Sequence, residues 1–281
     1  MTHITPRSAL IAFYALIAAI TLVMAFPVVW VLLSSLKPAA EAMRVPPTWF
    51  PSRFSLENYA ALQGIGSGLL RHVWNSFGVA IGSAVAVAVL AALAGYGFAR
   101  FDFPGRQVVF VLLLATLMVP FQIMLMPLFV VLRQLELHNS LLGLGLVYTT
   151  FHLPLGIFIM RNAFESVPRE LDEAATIDGA GHIVLLRRVL LPVVAPSVVT
   201  VLLVNFITCW NEFLGALILM TQQANYTLPV MLVNLQFGYM GVVDWGALQA
   251  GTVVTMLPPL LLTLAFQRYY VQGLVGGATK G

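Results

Sequence analysis

The chain has 281 residues, 60% of them hydrophobic and only 9% charged. An ordinary soluble domain carries about 25% charged residues, so a soluble enzyme or binding module is excluded. The formal net charge of +3, from 14 Lys+Arg against 11 Asp+Glu, is too small to mark a nucleic-acid surface and reads as membrane topology.

A hydrocarbon core needs about 20 apolar residues per helical crossing. Six runs meet that, at residues 9–36, 73–99, 107–133, 140–161, 193–220 and 246–268. The first is too long for a signal-peptide core and has no small-residue cleavage pattern, so it reads as a retained membrane helix. Backbone groups in lipid must be satisfied internally, which leaves helices as the form for such runs. The expected architecture is all-α and polytopic, with six transmembrane helices over residues 9–268. In the second run Gly78, Gly82 and Ala86 recur every four residues, which predicts close helix packing within the chain. Pro120 and Pro127 in the third, and Pro258–Pro259 in the sixth, predict interruptions, because proline removes a helix hydrogen bond. Cys209 is the single cysteine. It excludes an internal disulfide and reads as a packing residue.

Lys and Arg in the connections set the orientation. With the N-terminus inside, Arg7, Arg100, Arg106, Arg161, Arg169, Arg187, Arg188, Arg268 and Lys280 fall on the inner face. Lys37, Arg44, Arg53, Arg71 and Arg133 fall on the outer one. Nine against five favours both ends inside. Residues 1–8 and 269–281 are then cytoplasmic, and the outer loops are 37–72, with a helix-like segment at Ser55–Gln63, and 221–245.

Charge is concentrated in the longest inner loop, 162–192. Glu170, Asp172, Glu173 and Asp178 are followed by Gly179, Gly181, Arg187, Arg188 and Pro192. The local signals predict two short helices. Ser166 caps the first and Pro168 suits its first turn. The acids lie near its positive end, Ala174–Ala175 give a low smooth surface, and Gly179 ends it in a left-handed conformation. In the second, Ile183, Leu186 and Leu190 face one way, and Pro192 stops it at the start of the fifth span. The result is a rigid elbow at the inner surface, shaped to dock a soluble partner; the plainer alternative is a solvated loop with positive-inside arginines.

Glu173-Ala174-Ala175, three residues, Gly179, nine residues, then Val189-x-Leu191-Pro192 resembles the EAA loop of binding-protein-dependent ABC importer permeases, with Val189 where Ile is commonest. Phe98-Ala99-Arg100, Phe103-Pro104-Gly105, Met118-Val119-Pro120, Trp210-Asn211-Glu212, Asp244-Trp245-Gly246 and the ending from Gln267-Arg268-Tyr269 look like the carbohydrate-uptake subfamily, the maltose and glycerol-phosphate type. That resemblance implies a type I importer fold. It also implies that Glu173, Ala174, Ala175, Asp178, Gly179, Val189, Leu191 and Pro192 couple the chain to an ATPase. The implied partners are two ATPase subunits, a second homologous permease, an extracytoplasmic solute-binding protein, a sugar-type solute and membrane lipid, in the cytoplasmic (inner) membrane of a bacterium or archaeon; no nucleic acid is implied. The chain has no G-x-x-x-x-G-K-[ST] phosphate loop. It therefore lacks that ATP site, and ATP and Mg belong on the partner ATPase, with no cofactor on this chain.

Glu212 is the one carboxylate inside an apparent span. A charge at the bilayer centre costs ~2.5–3.5 kcal/mol on insertion scales, so it must face protein or water. Asn205, Thr208 and Glu212 share a helical stripe, with Asn211 beside it. The stripe is a candidate solute path or gate about two turns inside the outer end of the fifth span, or equally a hydrogen bond to a neighbouring helix or partner permease. Gln122, beside Pro120, is a second path candidate, and His152 reads as a packed, bonded histidine. Tyr226, Gln236, Tyr239 and Asp244 form a candidate contact for the binding protein. The alternative class is an ion-coupled secondary transporter, disfavoured by a single intramembrane acid and no visible repeat. An enzyme is not expected. There is no H-E-x-x-H and no G-x-S-x-G, and His3, His72, His138, His152 and His182 lie far apart.

Overall fold

An apolar chain in lipid must close its own backbone hydrogen bonds, and helices do so throughout this molecule. The computed structural model describes residues 7–237 and 243–278, with side chains over 8–237 and 243–267. In chain order the helices are α1 (Arg7–Ser35), α2 (Ala39–Ala42), α3 (Glu57–Gly64), α4 (Leu69–Arg100), α5 (Arg106–Ala115), α6 (Phe121–Gln134) and α7 (Leu141–Glu165). They continue as α8 (Glu170–Ile177), α9 (His182–Val184), α10 (Leu191–Val193), α11 (Ala195–Asn211), α12 (Leu214–Leu219), α13 (Leu228–Gln236) and α14 (Trp245–Ala278). No strand occurs among the described residues. Four of these helices, from Ser8, Leu69, Leu141 and Trp245, are long and apolar enough to cross a membrane, or up to six if each of two bent pairs is one span.

The bent pairs include the interruption expected at Pro120 and add one before the fifth span. Arg106–Met118 and Phe121–Gln134 meet at 100°, and His182–Val193 and Ala195–Asn211 meet at 77°. Pro120, with ψ 128, makes the first break. Pro127 sits inside α6 without one, and Pro258 and Pro259 sit inside α14. The second break comes at Val194, not at Pro192, which lies within α10.

The chain divides into two compact units, Met1–Leu69 with Leu232–Leu257, and Leu70–Met231 with Pro258–Gly281. In the first, Asn58 is fully buried and its Nδ2 donates to Ser35 O (2.9 Å) and Lys37 O (2.8 Å). These are carbonyls just at and past the end of α1, where no helical partner remains. α14 runs so close to Asn58 that a Cβ at Gly246 would stand 2.3 Å from Asn58 Oδ1. Most side chains along α1 are exposed and apolar.

In the second unit α7 packs on α11, and α12 on α6 and α7. The small-residue seam lies elsewhere on α4 than the sequence pattern suggested. Gly78 and Gly82 are exposed and a Cβ at either would meet nothing within 4 Å. The buried face is Ala80, Ala84, Val87 and Ala91. A Cβ at Gly95 would stand 2.7 Å from Met160 Cβ, and one at Gly156 would stand 2.9 Å from Val87 Cγ1. α4 and α7 thus approach closely through Gly95, against the Met160–Arg161 backbone, and through Gly156, against the Val87 and Ala91 side chains, as small residues allow.

Candidate functional site

The elbow follows α7. Ser166 is not the cap of its first helix: its Oγ donates to Ala163 O (2.8 Å) as α7 ends, and α8 begins at Glu170 after Arg169 with no side-chain cap. α8 closes as its sequence promised. Gly179 has φ +80°, its N donates to Thr176 O (3.0 Å), and Ala180 N donates to Ala175 O (2.9 Å). This paired closure satisfies the last carbonyls of α8 and needs a left-handed residue at Gly179.

Burial then sorts the loop. Ala175 is buried while Glu173, Ala174, Asp178 and Gly179 are exposed, so the alanine pair splits between core and surface. Ile183 is also outward, 73% exposed, against the expected inward face. Leu185 to Leu190 form a π-helical turn. The wider turn puts Leu185, Leu186 and Leu190 inside, with half-buried Val189 and Leu191 packed against the same core and Pro192 exposed. Ile177 (86% exposed) and Ile183 flank Gly179 as bare apolar side chains.

One acid of the cluster has a structural partner. Arg100, ending α4, places Nε 2.8 Å from Asp172 Oδ2, and its Nη2 donates to Val167 O (2.9 Å) and, at 3.4 Å, to Asp172 Oδ1. The side chains are 6% and 20% exposed. Aromatic contacts continue the join: Tyr96 lies against Phe164 and Phe101, and Phe101 against His182. The elbow is therefore fixed to the end of the helix seam at Arg100, while Glu173 and Asp178 make no ion pair among the described residues. In sequence Arg100 reads as a topology charge and as part of Phe98-Ala99-Arg100, with no sign of a partner that lies 72 residues away.

Glu212 is not within a helix. α11 stops at Asn211, Glu212 is extended with ψ 128, and α12 starts two residues on. Its carboxylate accepts from Gly215 N (2.7 Å) and Ala216 N (3.1 Å), two free amides of the α12 first turn, and from the Tyr148 hydroxyl. The stripe expected with Asn205 and Thr208 does not form. Asn205 is buried and its Nδ2 donates to Val201 O, whereas Thr208 and Asn211 are exposed and bond back to Val204 O and Ile207 O. Gln122 is exposed on α6. His152 Nδ1 lies 2.8 Å from Tyr148 O, a bonded packing position. Tyr148 had no sequence signal, being one aromatic in an apolar run.

The residues expected to meet a binding protein differ in their local surroundings. Tyr226 is half-buried and its carbonyl accepts from Asn75 Nδ2 (3.0 Å) and lies 2.9 Å from His72 Nδ1. Gln236 is exposed. Asp244 is occupied as the cap of α14, accepting from Ala247 N (2.9 Å). Tyr239 lies outside the described residues.

Residues 84–276 match the profile of the family described as binding-protein-dependent transport system inner membrane component. The chain belongs to that family. It is the permease component of a binding-protein-dependent ABC importer. The permease is 37% identical over 259 residues to the sulfoquinovosyl glycerol transport system permease protein SmoH of Agrobacterium fabrum, covering 91% of this chain and 89% of that one. It is 35% identical over 257 residues to the trehalose transport system permease protein SugB of Mycobacterium tuberculosis, covering 91% and 92%. The fold of the permease resembles a chain of a bacterial ABC transporter that imports the acidic polysaccharide alginate, with a TM-score of 0.76 and 21% identity over 95% of this chain and 100% of that one.

Proposed function

We propose that this permease imports a saccharide, or a related polyol or glycerol-phosphate solute, and crosses the cytoplasmic membrane six times with both termini inside. Each bent pair contributes one crossing, the second through α11, since its His182–Val193 arm belongs to the elbow. Relatives whose names specify a sulfoquinovosyl glycerol or a trehalose system support the solute class. The energy comes from two separate ATPase subunits that bind ATP and Mg. A second homologous permease completes the pathway, and an extracytoplasmic binding protein delivers the solute.

The observation that carries this reading is the division of labour within the elbow. Asp172 is spent on Arg100, while Glu173, Ala174, Asp178 and Gly179 face outward beside the exposed Ile177 and Ile183, the two acids making no ion pair among the described residues. A rigid charged and apolar knob fixed to α4 and α7 suits transmission of an ATPase movement into the helix seam. Glu212 acts in this account by holding the α11–α12 break in shape, not by presenting a free charge to the solute.

The test is copurification of the ATPase subunits with the permease, together with ATP hydrolysis stimulated by the loaded binding protein in reconstituted membranes. Glu173→Lys should loosen the ATPase or abolish stimulation, and a compensating charge on the ATPase surface should recover part of it. Full assembly, stimulation and uptake in Glu173→Lys and Gly179→Val would remove the coupling role.

A further inference from the structure

Within the first unit lies a hollow of about 370 Å³, inside the range of about 300–1,000 Å³ typical of small-molecule sites. Its walls include the indoles of Trp30, near the end of α1, and Trp245, which starts α14 and is 53% exposed. Ser34, Arg44 and Gln249 also line it.

The hollow has a built floor. Lys37, 2% exposed, donates from Nζ to Thr48 O (2.5 Å) and sits 4.7 Å over the Trp30 ring. Glu41 is also buried. It accepts from Thr48 Oγ1 (2.6 Å), Ser52 N (3.0 Å) and Ser52 Oγ (2.6 Å). Trp49 braces Trp30 edge-on at 5.3 Å. Lys37 and Glu41 thus cancel in charge and lock one wall in place. By contrast the Ser34 hydroxyl, the Gln249 amide and the Arg44 guanidinium have no protein hydrogen-bond partner among the described residues.

Flat aromatic walls with a few unpaired, mainly neutral hydrogen-bonding groups match one ligand chemistry. A pyranose lays its C–H face on an indole, and its ring of hydroxyls both donates and accepts. Such a ring meets Gln249, Ser34 and Arg44 without needing a counter-charge from the floor. An acyl chain leaves the buried Ser34 hydroxyl and the half-buried Gln249 amide unpaired, which is costly.

We infer that the Trp30–Trp245 hollow is a saccharide subsite that takes a single pyranose ring, apart from the Glu212 break. This rests on the reading of the solute as a saccharide. The subsite selects for a pyranose ring, not for one particular sugar, and on the proposed topology it opens toward the outer face, where the solute arrives.

The experiment uses the permease with its partner subunits in lipid nanodiscs, probed by indole fluorescence and saturation-transfer NMR. Trehalose and methyl α-glucoside are the cyclic probes, and mannitol is an open-chain polyol control. Saturable signals from both cyclic probes and none from mannitol are expected. Trp245→Ala and Gln249→Leu should each weaken binding by about tenfold, equivalent to about 1.4 kcal/mol. Assembly with the partner subunits should be unchanged in both variants. Absence of signal from both cyclic probes on the wild-type complex, an equal signal from mannitol, or undiminished binding in Trp245→Ala and Gln249→Leu overturns the subsite. Uptake of a panel of labelled saccharides is measured in parallel. Saccharide uptake with unchanged binding in the variants overturns the subsite alone, whereas a complex that transports other solutes and no saccharide overturns the reading of the solute.

Discussion

Arg100 Nε lies 2.8 Å from Asp172 Oδ2, joining the last residue of α4 to the first turn of α8. Both side chains are largely withdrawn from solvent, so the pair is weakly screened. Removing one partner leaves a poorly solvated charge, a loss of about 3 kcal/mol at the lower end for such pairs. Arg100→Gln should therefore insert in the membrane yet loosen the elbow, with reduced binding-protein-stimulated ATP hydrolysis. Asp172→Asn should be milder, since its amide oxygen still accepts from Arg100. A double-mutant cycle on stimulated hydrolysis checks this. Additive losses would mean that the pair does not act as one unit.

At Gly179 a Cβ would meet nothing within 4 Å, so the whole cost of substitution there comes from the +80° φ. Alanine should cost about 1–2 kcal/mol, and a β-branched residue more. Gly179→Val is expected at normal membrane levels with its ATPase subunits washing off more readily, and Gly179→Asn, which tolerates the left-handed region, should keep function. Equal behaviour of valine and asparagine would contradict a conformational cause.

Three donors converge on the Glu212 carboxylate. Glu212→Ala orphans all three, at a cost of about 1–3 kcal/mol for each buried group left unpaired. Glu212→Gln keeps size but turns one acceptor into a donor facing donors. Insertion should survive in Glu212→Gln while thermal stability and uptake fall, and Tyr148→Phe should be the mildest of the three. Wild-type melting and uptake in both Glu212 variants would reduce the break to passive geometry.

Bonds from Ser52 Oγ, Thr48 Oγ1 and Ser52 N hold the Glu41 carboxyl down at about 2, against an ordinary 4.5, with Lys37 adding to the effect. A carboxyl whose folded pKa lies below its unfolded one stabilises the fold fully above the unfolded value. The contribution fades as pH falls through that value to the folded pKa. Melting of wild type and Glu41→Gln should therefore differ above pH 4.5 and converge as pH falls to about 2. A difference that persists unchanged to the acid end would show that the carboxylate charge is not its source.

Orientation is open to labelling. Phe54 is 75% exposed and Asp178 is exposed, whereas the native Cys209 is buried. With both termini inside, Phe54→Cys should react with an impermeant thiol reagent in intact cells. Asp178→Cys should react only after permeabilisation. The opposite pattern reverses the topology and removes the elbow from the ATPase side.

Composition by itself determined that this chain lives in a membrane and is helical, because 9% charge cannot cover a soluble surface and lipid leaves no other outlet for backbone polar groups. The left-handed turn at Gly179 was equally legible, since it depends on a few consecutive residues. Tertiary structure alone decided which face of α4 packs, because Gly78 and Gly82 have the right spacing but meet nothing within 4 Å, whereas Gly95 meets the Met160–Arg161 backbone and Gly156 of α7 meets the Val87 and Ala91 side chains. It also decided that Ala174 faces out while Ala175 faces in, and that Ile183 lies outward while Leu185, Leu186 and Leu190 of the π-helical turn lie inside. The partners of Asp172 and Glu212 were hidden for the same reason. Arg100 and Tyr148 stand 72 and 64 residues away in sequence, and such pairings are set by packing in three dimensions, to which local periodicity is blind.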